Sequence, residues 1–194
     1  MTGRTAAGGA GPGRQGGAVP AGEGGAVPDI VAPDLRVLFC GINPGARSGQ
    51  LHQHFARPGN RFWPLLHASG FTDRLLGPVE QDRLPAYGMG ITNLVDRTSV
   101  RASDLTPAEL RTGARRLEDK VARWRPAFVA VLGVQAYRVA FGRRLATIGR
   151  QEEPLGGAVA WLLPNPSGLQ ARYQLPEMTE LLVELRRAVE AGGR

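Results

Sequence analysis

Three short runs of uninterrupted apolar residues constrain the fold more than any other feature: "RVLFCGI" (36–42), "AFVAVLG" (127–133) and "AVAWLLP" (158–164). None alternates polar with apolar, so each reads as a strand buried on both faces. "MGITNLV" (89–95) is a weaker fourth candidate. Helical patterns lie between them. Thr106 and Glu109 form a capping box with Pro107 at the first helical position, and Leu110, Ala114, Leu117, Val121 and Trp124 then recur at spacings of four and three. A last helix is expected from near Pro176, burying Met178, Leu181, Leu182, Leu185 and Val189. Shorter helices are expected over "RFWPLLHAS" and "VQAYRVAF", with Pro64 tolerated in a first turn. Strands alternating with helices imply an α/β fold, a mainly parallel sheet covered on both faces. Ligands of such sheets bind beyond the carboxyl ends of the strands.

The 194 residues suit one domain, and 42% apolar content suffices for a core. The first 28 residues hold ten of the 27 glycines, repeat "GGAVP", and carry few large apolar side chains. Such a segment cannot offset its ordering entropy, so residues 1–30 are expected to be a disordered tail, dispensable for chemistry, and residues 31–194 the single domain. No stretch resembles a signal peptide or a bilayer span, which leads to the expectation of a soluble, cytoplasmic protein with no membrane partner.

The formal charge of +7 favours a polyanionic partner. Cys40 is the only cysteine, which removes intrachain disulfides, cysteine zinc sites and four-cysteine clusters. Lys120 is the only lysine, so a lysine Schiff base would need it or the N-terminus; the helical pattern puts Lys120 on an exposed face. His52, His54 and His67 make a weak metal motif with no nearby carboxylate, so neither metal nor cofactor is expected.

Two strand runs end alike, in "GINPG" (41–45) and "PNPSG" (164–168), and both loops are expected at one crevice. A lone Asn-Pro-Gly is a good turn; a pair at strand ends suggests a site. No Gly-Lys-Ser/Thr follows, so this is not a phosphate-cradling P-loop. The Asn43 amide can orient a water but does not ionise near neutrality. It suits a reaction whose leaving group departs first, such as cleavage through an oxocarbenium-like sugar, helped by backbone N–H donors around the leaving anion. Phe55 can offer a stacking face for a planar base or belong to the core. Leu169 can wedge into stacked bases or plug its own domain.

With "HFARPGNRFW" and "GITNLVDRTS" between the two loops, the chain from about Arg36 to Leu185 resembles the mismatch-specific uracil/thymine DNA glycosylases of the uracil-DNA glycosylase superfamily. The resemblance implies a three-layer α/β/α domain that flips a nucleotide out of mismatched duplex DNA, acting as a monomer and without lyase chemistry. It implies that Asn43 positions the water, that Ile42, Gly45 and Phe55 hold the uracil, and that Ser48 sits beside the C5 edge. Asn93 would contact the base, where a bacterial type member has lysine. Asn165 and Ser167 would shape the second motif, and Gly168, Leu169 and Gln170 would fill the gap in the duplex. Arg172 stands one residue further from Leu169 than in that type member, which leaves its share in the wedge open. Two other readings of the residues are a damaged-DNA-binding module without catalysis and a small-molecule nucleoside hydrolase.

Overall fold

The apolar runs become the sheet. A computed structural model describes residues 25–169 and 172–192, with β1 at Val37–Gly41, β2 at Met89–Asn93, β3 at Phe128–Leu132, β4 at Gly149–Arg150 and β5 at Val159–Leu163. The strand order is β2-β1-β3-β5-β4, parallel throughout except for β4, which pairs antiparallel with β5. Alternate side chains of each strand feed opposite faces. Val37 and Phe39 join one apolar cluster with Ile91, Phe62 and Leu185; Leu38 and Cys40 join another with Val129, Leu117 and Tyr137. Two cores on one sheet make the three layers, an α/β fold of the expected kind.

The helices arise where the periodicity put them. On the first face lie α2 (Phe62–Ala68) and α5 (Leu175–Ala191), and on the second α3 (Pro107–Trp124) and α4 (Val134–Ala140). Thr106 Oγ1 accepts the Glu109 amide and the Glu109 carboxylate accepts the Thr106 amide, closing the capping box at the head of α3. Loss of such a cap costs about 1 kcal/mol. Four of the five apolar positions expected on α3 are buried, while Trp124 is only partly covered, under Arg123. Among the described residues, four elements have no clear sequence signal: α1 (Ala46–Leu51), the 3₁₀ helices Pro78–Tyr87 and Ala102–Asp104, and the two-residue β4.

Two expectations need correction. Lys120 is not on an open face: its Nζ lies 2.8 Å from the Asp29 carboxylate, donates to Thr92 Oγ1 at 3.0 Å, and its side chain is three-quarters covered. The helix pattern could not show this, because the covering partner comes from residues assigned to the tail. Those residues also move the domain boundary. Val27 is buried, Ile30 exchanges backbone hydrogen bonds with Ile91 beside β2, and Pro28 O accepts a hydrogen bond from His54. Packing therefore begins before residue 31. The rest of the expected tail, residues 1–24, lies outside the described residues.

Candidate functional site

Gly41, Asn93 and Leu132 stand at the carboxyl ends of β1, β2 and β3, and Asn165 follows β5 by two residues; all four line one pocket of about 120 Å³. The parallel sheet brings these strand ends to one edge, so the two Asn-Pro loops meet although more than 120 residues separate them. Of the residues expected there from sequence, Asn43, Ile42, Gly45, Ser48, Phe55, Asn93, Asn165 and Ser167 all line the pocket. No Asp, Glu or Lys does among its described lining residues.

Asn43 is held by its nitrogen. Its Nδ2 donates to Ser99 Oγ at 2.8 Å, Pro44 O at 3.0 Å and Arg97 O at 3.1 Å. Ser99 Oγ gives its own proton to Arg101 O at 2.7 Å, so it must accept from Asn43. That chain fixes which way the amide lies: Oδ1 is left for a substrate or a water, and it accepts no hydrogen bond among the described residues. The loop bearing these acceptors is itself braced, because Arg97 pairs with Glu109 at 2.8 Å. The Arg97 guanidinium, followed by Thr106, holds the Glu109 carboxyl down to about 2, so the brace stays charged at any working pH. Ser99 was not singled out from sequence. Ser99→Ala should fold normally but lower the single-turnover rate of the site about fivefold, the worth of one neutral hydrogen bond, checked by rapid-quench kinetics beside a melting curve.

Phe55 packs on the core and also reaches the pocket. One face stacks on Phe62 with centroids 4.1 Å apart, and the ring also lines the pocket. Its backbone sits at φ 54°, a left-handed conformation unusual for a bulky residue and kept by the packing around it. Gly45 precedes α1, and a Cβ there would meet nothing within 4 Å, so the backbone at this corner is bare toward a ligand. Gly41 is the opposite case: a Cβ would stand 2.6 Å from Asn93 Oδ1 and 3.2 Å from Phe55 Cζ. Ile42 O is occupied by Val95 N. Ser48 is buried and its Oγ accepts Ala56 N at 3.1 Å, which anchors the turn before Arg57.

His54 also lines the pocket, at 2% exposure. Burial pushes its imidazole below the ordinary value of 6.5, with the Pro28 carbonyl opposing. Cys40 is sealed in the core, and burial pushes its thiol far up, so it is no nucleophile.

The second loop is shaped by Asn165, whose Oδ1 accepts Ser167 N at 3.0 Å. A residue overlooked in the sequence secures it from the other side: Arg61 donates to Ser167 O at 2.8 Å and Tyr173 O at 2.7 Å, gripping the loop at both ends. Gly168 lies so close to Gly59 that a Cβ would stand 2.5 Å from its carbonyl oxygen. Leu169, next in the chain, is 71% exposed, so it is not a plug in its own domain. Gln170 lies outside the described residues. Arg172 lines an adjoining groove of about 840 Å³ rather than the pocket, with its guanidinium 5.5 Å from the Tyr173 ring centre.

A pocket lined by an aromatic ring and by amide side chains, with the Asn43 carbonyl oxygen left open, can hold a planar heterocycle and a water beside it. It has no carboxylate to act as a general base. The family model described as the uracil DNA glycosylase superfamily matches residues 28–187, which takes in the sheet, both loops and the segment around Asp29. Uracil DNA glycosylase activity, with DNA as the partner, goes with that match.

Proposed function

We propose that this chain, which belongs to the uracil DNA glycosylase superfamily, is a monofunctional, mismatch-directed member that excises uracil paired with guanine. The observation that carries this reading is the locked Asn43 amide with its free Oδ1 in a pocket without carboxylates. The target base leaves the stack, lies against Phe55, and meets the amides and backbone at the strand ends. The glycosidic bond stretches first, and the charge gathering on the base is met by hydrogen-bond donors at the pocket edge. Removing one such donor typically costs about 10²–10³ in rate. A water held by Asn43 Oδ1 then adds to the sugar cation and gives up its proton to the departed uracil anion or to solvent, so a weak acceptor is enough.

Lys120 is tied to Asp29 and does not line the pocket, which favours plain hydrolysis over Schiff-base cleavage. The chain would act as a monomer. Ser48, beside the base, would set how well a 5-methyl group is tolerated. Because unpairing costs less at a mismatch, uracil opposite guanine should be released faster than uracil opposite adenine. The test is one sequence carrying G·U, G·T, A·U or unpaired uracil, assayed at excess enzyme. Fastest release from G·U is expected; equal rates for G·U and A·U would remove the mismatch preference.

Leu169 is exposed and follows Ser167 of the pocket lining by two residues, and on this reading it would fill the gap that the flipped base leaves in the duplex. Leu169→Ala should lose about tenfold on duplex substrate and little on single strands, as expected for one buried leucine side chain. Equal losses on both would end the wedge role.

A further inference from the structure

Asn93 and His54 together fix a feature of the pocket that the reaction scheme leaves open: which hydrogen-bonding polarity the base must present. Pro28 O can only accept, so the 2.9 Å contact puts a proton on His54 Nε2. In the neutral ring Nδ1 is then a lone pair, and the atom of Asn93 facing it at 3.4 Å is Nδ2, the donor. The opposite amide orientation would set two lone pairs against each other. Asn93 Oδ1 is therefore turned across Gly41 toward the pocket, and it accepts no hydrogen bond among the described residues. An acceptor at that place favours a base edge bearing an N–H, as in an imide.

We propose that His54 is a positioning residue that sets base specificity: while neutral it holds Asn93 Oδ1 toward the pocket and selects imide bases, and when protonated at Nδ1 it turns the amide and selects bases with an acceptor edge. This rests on the base occupying the pocket as proposed above. The ring is placed to take its second proton only below the ordinary imidazole range. Burial holds its pKa below 6.5, the Asp29 carboxylate from the N-terminal segment raises it, and Lys120 from α3 lowers it. Those two charges are paired with each other, and the remaining contacts are neutral: Gln81 Oε1 accepts the His54 amide and Trp63 Nε1 donates to its carbonyl.

The experiment compares two bases that share a 5-substituent and differ at the edge, 5-fluorouracil and 5-fluorocytosine, each opposite an abasic analogue so that no partner base titrates. Single-turnover release is measured with the full chain from pH 7 down to pH 5. The uracil-to-cytosine ratio should fall roughly tenfold as pH drops, the scale of one hydrogen bond reversed from donor to acceptor. His54→Gln and, independently, Asn93→Ala should each give a ratio that does not change with pH. A ratio constant with pH in the unaltered protein, or a shift that survives in either variant, overturns the proposal. Failure to release either base at any pH overturns the glycosylase reading and this inference with it.

Discussion

Asn43→Ala should leave the melting temperature nearly unchanged and lower single-turnover release of uracil from a G·U duplex by roughly 100-fold or more. The fold survives because the side chain is at a loop corner and holds up no core residue; its three acceptors all belong to the neighbouring 97–99 loop and Pro44. The rate should fall because, on the proposed reading, the water loses the amide acceptor that this loop orients. The proposed stacking face of Phe55 and the open corner at Gly45 remain, so binding of the flipped base should weaken far less than the rate. A normal rate in the variant, measured with enzyme in excess, would mean that the water is held elsewhere.

Gly113→Ala should destabilise the whole domain by about 3 kcal/mol, at the upper end for overpacking. For a chain of this size that is a fall in melting temperature of roughly 6–12 °C. Gly113 sits on α3 directly over the chain leaving β2, and a Cβ there would stand 2.1 Å from Leu94 O. The chain at Leu94 is held in place. Leu94 N is bonded to Gly41 O and Val95 N to Ile42 O, so backbone on both sides is tied to β1. Moving α3 outward would also pull Glu109 from Arg97 and slacken the loop that holds Asn43. Activity at a temperature well below melting should therefore fall too, by a smaller factor than in Asn43→Ala. Thermal unfolding and rapid-quench rates on the same preparation separate the two effects; an unchanged melting temperature would contradict the close packing.

What could be read in the sequence was local. The strands β1, β3 and β5 announce themselves because burial on both faces forbids polar residues over five positions. The "GINPG" and "PNPSG" loops are legible because turn chemistry is written in adjacent residues, and parallel connections then oblige both to one edge. The partners that hold the loops in place are not adjacent. Asn43 is oriented by Ser99, 56 residues away, and the second loop is clasped by Arg61 across 106 and 112 residues. Lys120 was misplaced for a related reason: its helix position is peripheral, and only the fold brings Asp29 over it. The segment around Val27 resembled the glycine-rich stretch before it in composition, yet one buried valine and a two-bond bridge at Ile30 suffice to pack it. The 3₁₀ helix Pro78–Tyr87 gave no signal because its two prolines and scattered apolar residues form no stripe.

On the function proposed above, this pocket breaks the bond between base and sugar and leaves the DNA backbone whole. The most direct measurement is mass analysis of a duplex with one central G·U pair after incubation with the full chain, before and after alkali. Free uracil and an intact strand lighter by one base are expected, the strand being cut only when alkali is added. Uracil retained in the strand, or a strand already broken before alkali, would contradict it.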